Sequence, residues 1–242
     1  MSKPFLLSNA KLFSQDLQTL PIHKLLINTL NAYCFKMAQI DKAYAEALNS
    51  SDILLPDGIS VVIAKKLLTS TRIKKIAGAD LFYYEMNRLN ITGGSCFFLG
   101  SSESTLKRII DRSGREFPKV KVQKYSPPFK PEFSPEDNAK MVELVNAFKP
   151  DVLFIGMTAP KQEKWAYAHF DILEAGHICC IGAVFDFYAR NIKRAPRWLR
   201  DLWLEWFYRL IMEPRRMWRR YLLGNPKFIW LVIKEWFMRD KT

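Results

Sequence analysis

No stretch of this sequence is long and apolar enough to span a membrane. The longest run without a charged residue, Leu89 to Ser102, has 14 residues and is broken by glycines and polar side chains, against the ~20 apolar residues that a spanning helix needs. The N-terminus, MSKPFLLSNAKLF, lacks a continuous apolar core followed by small residues, so it does not read as a secretory signal. A cytosolic protein is expected. Histidine and cysteine are scarce. The three His (His23, His169, His177) form no H-E-x-x-H, and no G-x-S-x-G occurs, which disfavours zinc hydrolysis and serine-hydrolase chemistry. The four Cys (Cys34, Cys96, Cys179, Cys180) sit in apolar surroundings with no C-x-x-C, so reduced packing residues are expected rather than a disulfide. Neither G-x-G-x-x-G nor the P-loop G-x-x-x-x-G-K-[ST] is present, which disfavours classical dinucleotide and Walker-type sites. Nor does an Asp-x-Asp follow an apolar strand to hold a divalent ion on a diphosphate. No metal and no cofactor is expected, and phosphate charge must be met by Arg, Lys or helix ends.

Acidic residues are the minority, 24 against 37 Lys and Arg, for a net charge of +13. That excess points to an anionic partner: nucleic acid, a membrane surface or a phosphorylated substrate. With 49% apolar residues and 17 Phe, 9 Tyr and 7 Trp, intrinsic disorder is disfavoured. A length of 242 residues suggests one domain, or one plus an appendage. The charge is unevenly placed. Residues 190–242 hold 14 Lys and Arg against 5 Asp and Glu, together with six of the seven Trp. The chain therefore divides into a core, 1–189, and a basic, aromatic-rich helical appendage, 190–242.

In the core, short β-favouring runs alternate with helical patterns: Lys24–Thr29, Asp52–Leu55, Ser95–Leu99, Lys119–Lys124, Asp151–Ile155 and His177–Ile181. Ser134-Pro135-Glu136-Asp137 is a helix start, with Ser at the N-cap, Pro at the first helical position and acids in the positive first turn. The helix it opens is expected to end near Lys149-Pro150. Such alternation predicts an α/β fold, a Rossmann-like, mostly parallel sheet with crossover helices. In such sheets ligands bind beyond the carboxyl ends of the strands. The residues there are Thr29 and Asn31, then Pro56-Asp57-Gly58, then Gly100-Ser101-Ser102, then Gly156 through Glu163. Gly100-Ser101-Ser102 before a helix offers backbone N–H groups and hydroxyls suited to a phosphate, or serves as an ordinary strand-to-helix loop. Asp57, between an apolar strand and an apolar helix, is either a helix N-cap or a general base for a hydroxyl nucleophile.

In the appendage, arginines and aromatics interleave from Glu205 to Tyr221. Spacings of 7 and 3 would place Arg209, Arg216 and Arg219 on one side of a continuous helix, although Pro214 is expected to start a new one. The segment reads as RNA-binding, as a membrane-surface segment or as a substrate-clamping lid. Its Trp, Leu, Ile and Phe favour the bilayer interface over RNA, with Arg meeting anionic lipid.

Several segments together resemble the WecG/TagA/CpsF bacterial glycosyltransferases, also called glycosyltransferase family 26, from Lys24 to Tyr221. They are Thr29-Leu30-Asn31, Leu54 through Gly58, Phe98-Leu99-Gly100, Pro160-Lys161-Gln162-Glu163, Gly182 through Phe187, Arg194-Ala195-Pro196, Glu205 through Leu210 and Glu213-Pro214-Arg215-Arg216. Gly156-Met157-Thr158-Ala159-Pro160 departs from the family's Gly-x-Pro pattern and changes the expected loop shape.

The resemblance implies an inverting, metal-independent transfer of a sugar from a UDP donor to a polyprenyl-diphosphate-linked saccharide at the cytosolic membrane face. It implies Asp57 as general base, with Thr29 and Asn31 positioning the sugar. Gly100, Ser101, Gly156, Lys161, Gln162, Gly182 and Asp186 would line the nucleotide-sugar pocket. Arg209, Arg216 and Arg219 would close over the site and neutralise the departing diphosphate in place of a metal. It also implies an equilibrium between soluble homo-oligomers and a membrane-bound active form, with no nucleic-acid partner. N-acetylmannosamine or its uronic acid is the favoured donor sugar, with glucose or another hexose the alternative. A non-catalytic membrane- or RNA-binding module is the rival outside enzymology.

Overall fold

The computed structural model describes residues 5–193, 195–196, 198–199 and 202–239, apart from the side chains of Arg216 and Arg239. Arg194 of the Arg194-Ala195-Pro196 segment and the Arg216 side chain therefore lie outside the described residues. Six strands form one open, wholly parallel sheet: β1 (Leu25–Leu30), β2 (Ile53–Pro56), β3 (Ser95–Gly100), β4 (Lys121–Tyr125), β5 (Val152–Gly156) and β6 (His177–Cys180), in the order β2-β1-β6-β5-β3-β4. All six lie within two residues of the runs expected from the sequence. The four inner strands are near-continuous apolar runs because helices cover both faces. Edge strand β4 alone is polar and half-exposed. The opposite edge is shielded by the N-terminal segment, where Phe13 N–H donates to Leu54 O at 2.9 Å.

Alternation along the strands sorts the side chains into two layers. Ile27, Leu55, Phe98, Phe154 and Cys179 meet α4 (Gly78–Thr92), α5 (Glu103–Glu116) and α8 (Val184–Tyr188). Leu30 and Leu54 on the other face meet α1 (Ala32–Ala38) and α3 (Ile59–Thr69), next to α2 (Lys42–Asn49). Phe97, Leu99, Leu153 and Ile155 meet α6 (Pro135–Phe148) and α7 (Lys161–His169) on that same side. All four cysteines are buried free thiols. The helix start at Ser134 forms as a capping box with Asp137, and α6 stops at Phe148 because Lys149 turns left-handed.

From Glu205 onward the described residues are helical. α9 (Glu205–Met212) ends before Pro214, which occupies the first turn of α10 (Pro214–Trp218). A π-type turn, Arg219–Leu223, continues into α11 (Gly224–Arg239). Phe228 and Val232 of α11 bury against Phe35 and the α1/α3 layer. No helix among the described residues is long and apolar enough to cross a membrane.

The topology fixes where a ligand can sit. The helix after β3 (α5) lies on one face, and the helix after the neighbouring β5 (α7) lies on the other. A crevice therefore opens between their carboxyl ends, the place where open α/β sheets take their ligands.

Candidate active site

Asp57 follows β2 at this rim, with its N–H donating to Leu30 O at 2.9 Å. The cap of α3 is Gly58, at φ 152, and no side chain caps that helix. Asp57 is therefore not the N-cap. Its carboxylate, partly open to solvent, makes no hydrogen bond with any described residue. Burial among protein atoms pushes it up to about 6; nearby Lys75 and Arg220 oppose the rise, and Glu205 and Asp80 add to it. A carboxylate ready to ionise near neutral pH, with its oxygens uncommitted, suits a general base.

Thr29 and Asn31 flank it. Thr29 pairs with Leu55 in register and, two residues from Ile27, shares its face, so it faces the α4 layer and is nearly buried. A Cβ on Gly58 would stand 3.5 Å from Asn31 Cβ. Asn31 Oδ1 caps α1 by accepting from Tyr33 N–H and Cys34 N–H at 3.0 and 3.1 Å. Its amide N–H₂ is the end left for a ligand.

The crevice is shaped by glycines and polar helix starts. Gly100 and Gly156 pair in register at the ends of β3 and β5. A Cβ on Gly100 would fall 2.8 Å from Gly156 O, and one on Gly156 would fall 2.3 Å from the Phe185 ring. These two positions need glycine for packing. Ser101, at φ 60, leads to Ser102, whose Oγ caps α5. Asp186 is tied to that helix start through Asn191: Asn191 Nδ2 donates to Asp186 Oδ1 at 3.2 Å and to Thr105 Oγ1 at 2.7 Å, while Arg108 donates to Asn191 Oδ1 at 2.8 Å. This bridge joins the Gly182–Asp186 loop to the Gly100–Ser102 turn. Asn191 was not marked by the sequence, because a lone Asn carries no spacing signal.

Gln162 is buried in the first turn of α7. Its Oε1 accepts from Met157 N–H at 3.2 Å and its Nε2 donates to Glu163 Oε1 at 2.9 Å. Gly182 lies over the amide, since a Cβ there would be 3.4 Å from both amide heteroatoms. Glu163 is almost wholly buried with Oε2 unpartnered among the described residues, and burial pushes it up to about 7. Lys161 turns elsewhere: its ammonium donates to Lys130 O at 2.6 Å and lies 3.4 Å from the Phe133 ring centroid.

The appendage reaches the rim from above. Glu205 pairs with Lys75 at 3.8 Å, anchoring the start of α9 beside the Asp57 loop, where Ile76 N–H donates to Pro56 O. Arg209 lies 5.1 Å from the Phe187 ring and 3.7 Å from Glu213, with buried Nε and Nη2 that have no hydrogen-bond partner among the described residues. An arginine so placed has donors in reserve for an anion. Arg219 is exposed over its neighbour Trp218 at 5.2 Å. Arg220, absent from the sequence-based candidates, is the arginine of this turn that lies over Tyr33, at 4.5 Å, with its charge felt at Asp57.

Comparison with known proteins gives a consistent answer. Residues 10–242 match the family described as Glycosyl transferase WecG/TagA/CpsF family. A Bacillus subtilis (strain 168) protein named N-acetylglucosaminyldiphosphoundecaprenol N-acetyl-beta-D-mannosaminyltransferase is 32% identical over 209 residues, covering 86% of this chain and 79% of that protein. A protein of the same name from Bacillus spizizenii is 32% identical over 192 residues, covering 79% and 72%. One from Staphylococcus aureus (strain MW2) is 26% identical over 229 residues, covering 95% and 86%.

Proposed function

The chain belongs to the WecG/TagA/CpsF glycosyltransferase family, and from that premise we propose that it moves N-acetylmannosamine from a UDP donor to a polyprenyl-diphosphate-linked N-acetylglucosamine, with inversion. The observation that carries the mechanism is the uncommitted Asp57 carboxylate at the carboxyl rim. In the proposed step the acceptor hydroxyl oxygen attacks the anomeric carbon, its proton passes to Asp57, and the bond from that carbon to the UDP oxygen breaks with both electrons leaving on UDP. Thr29 and the Asn31 amide hold the reacting sugar beside the base. The crevice between Gly100-Ser101 and the Gly182–Asp186 loop takes the nucleotide, with Gln162 fixing the loop from beneath. Negative charge builds on the departing diphosphate, and Arg209, whose buried Nε and Nη2 make no hydrogen bond with a described residue and whose Nη2 stands 3.7 Å from Glu213, is placed to meet it; Arg216 and Arg219 are the other appendage arginines with that assignment. The relatives' names favour N-acetylmannosamine over a hexose donor.

In this reading residues 1–189 form the catalytic core and 190–242 an appendage that seats on the inner face of the cell membrane, where the acceptor resides. The exposed Trp206, Phe207, Trp218, Leu222, Leu223, Ile229, Trp230 and Trp236 support it, because a monomer in water seldom leaves so many large apolar groups uncovered. Homo-oligomers in which these faces meet would be the form away from the membrane.

The test is Asp57→Asn. UDP affinity, read by calorimetry, is expected to stay within about twofold, while turnover falls by ~10² to 10⁴, the usual contribution of a general base. In the unaltered protein kcat/KM is expected to rise with pH through about 6 as Asp57 ionises. Turnover retained in the variant removes Asp57 from the base role.

A further inference from the structure

Beside Asp57, on which the charge of Arg220 acts, three cations gather around Tyr33 with no carboxylate in salt-bridge contact among the described residues. Arg220 and Lys36 both lie on the Tyr33 ring, at 4.5 and 5.3 Å from its centroid. Lys227 lies on the helix packed against α1 through the Phe35–Phe228 contact at 5.5 Å, near enough for its charge to act on Lys36. The Lys36 ammonium also lies against α11, since a Cβ on Gly224 would be 3.4 Å from Nζ. Among the described residues none of the three cations pairs with a carboxylate. Burial lowers the pKa of Lys36, and the charges of Lys227 and Arg220 lower it further, the mark of like charges held together. Folding gains nothing from such crowding, so an anion is the missing member.

We propose that Lys36, Arg220 and Lys227 form the seat for the diphosphate of the lipid-linked acceptor. The proposal rests on the glycosyltransferase reading for the identity of that acceptor and on three spatial facts. First, the cluster lies on the α1/α11 side of the sheet, whereas Arg209 lies over Phe187 of α8 on the opposite side. In an inverting displacement the nucleophile and the leaving group stand on opposite sides of the anomeric carbon, so two diphosphates, one on each substrate, need two separate cationic seats. Secondly, Tyr33 is two residues from Asn31, which abuts Gly58 and so Asp57. One sugar ring separates the nucleophilic hydroxyl from the acceptor diphosphate, and the cluster adjoins the base, since the charge of Arg220 acts on Asp57. Thirdly, the neighbours of the cations are exposed and apolar: Leu222 and Leu223 follow Arg220, and Ile229 and Trp230 follow Lys227. Exposed apolar side chains within one helical turn of the cations offer a surface fit for the prenyl carbons of a chain attached to a diphosphate in this seat.

The probe is a water-soluble N-acetylglucosamine diphosphate bearing a short alkyl chain, titrated into the full-length protein and into the Lys36→Gln/Lys227→Gln and Arg220→Gln variants. The expected result is at least tenfold weaker binding of the probe to either variant, unchanged UDP affinity, and no difference between proteins for the same sugar on an alkyl chain without phosphate. A raised acceptor KM with an unchanged donor KM should accompany it. Equal probe affinity in all three proteins overturns the proposal, as does a loss of UDP affinity to the same degree. Phosphatidylglycerol vesicles without acceptor form the second arm. Variants that lose vesicle binding but keep the probe would make the cluster a headgroup site and overturn it. The glycosyltransferase reading fails separately, if the unaltered protein binds no UDP; probe binding is read independently of that result.

Discussion

Two carboxylates, Asp57 and Glu163, show how burial assigns different roles to one chemical group. Asp57 keeps contact with solvent and has no hydrogen bond with a described residue, so its raised affinity for protons suits the general-base role proposed for it. Glu163 is sealed beneath α1 and α2, where its charge raises the Cys34 and Tyr44 protons' affinity, and one oxygen orients Gln162. A group held near 7 when folded, against 4.5 as its ordinary value, binds an extra proton in the native state between those two pH values. Stability is therefore lost as pH rises across that window, by an amount of order 3 kcal/mol, and is flat above it. Glu163→Gln is expected to remove this slope and leave that of Asp57, so urea midpoints at pH 5 and pH 8 should differ less in the variant than in the unaltered protein. Parallel profiles would show that Glu163 contributes no pH dependence between pH 5 and pH 8. At this scale the sequence was legible where a motif carries the residue: Thr29, Asn31, Asp57, Gln162 and Asp186 were marked before any geometry. Asn191, Arg220 and the isolation of the Glu163 carboxylate were not. Their meaning comes from partners 5 to 187 positions away, and one chain without coordinates holds no sign of those pairings.

Elements were easier to read than their docking. The strands announced themselves as apolar runs because a parallel sheet buries both faces, and Ser134-Pro135 announced α6 because capping is local chemistry. The attachment of α11 was not visible, since it depends on a turn at the far end of the chain. Glu235, nearly buried on α11, accepts from Leu7 N–H at 3.0 Å and Ser8 N–H at 2.6 Å. The same turn is held from the core side by the Lys65 ammonium, which donates to Leu7 O, Ser8 O and Ala10 O at 3.2, 2.8 and 2.9 Å. Buried charges of opposite sign thus grip the N–H and C=O groups of one short segment, and through it the appendage is fastened to α3. Glu235→Ala leaves the buried Leu7 amide unpaired, at ~1 to 3 kcal/mol, and the half-buried Ser8 amide at less than that. Hydrogen exchange is expected to quicken at least tenfold in α11 and at Leu7 and Ser8, with rates in β1, β5 and β6 unchanged. Acceleration spread evenly over the sheet would mean that the contact serves global stability rather than holding the appendage.

Over the whole molecule, charge and apolar surface are concentrated together. Most of the +13 lies beyond Ala189 with six of the seven Trp, and most of those indoles are exposed. Trp165, the remaining one, is 5% exposed and packed inside the core. With Trp165 shielded from the solvent, a shift in tryptophan emission reports mainly on the appendage. If the exposed face seats in a bilayer, phosphatidylglycerol vesicles should shift Trp emission to the blue as indoles leave water for the headgroup region. Phosphatidylcholine vesicles should do so much less, because each basic side chain near an anionic leaflet contributes ~1 kcal/mol that a neutral one does not supply. Raising salt to about 0.5 M should reverse part of the shift, as screening shortens the reach of the arginines and lysines while the buried indoles remain. Complete reversal would make the attachment purely electrostatic and leave the aromatic face to another occupant. No shift with anionic vesicles would detach the appendage from the membrane altogether, and the exposed Trp face would then be a contact between protein surfaces.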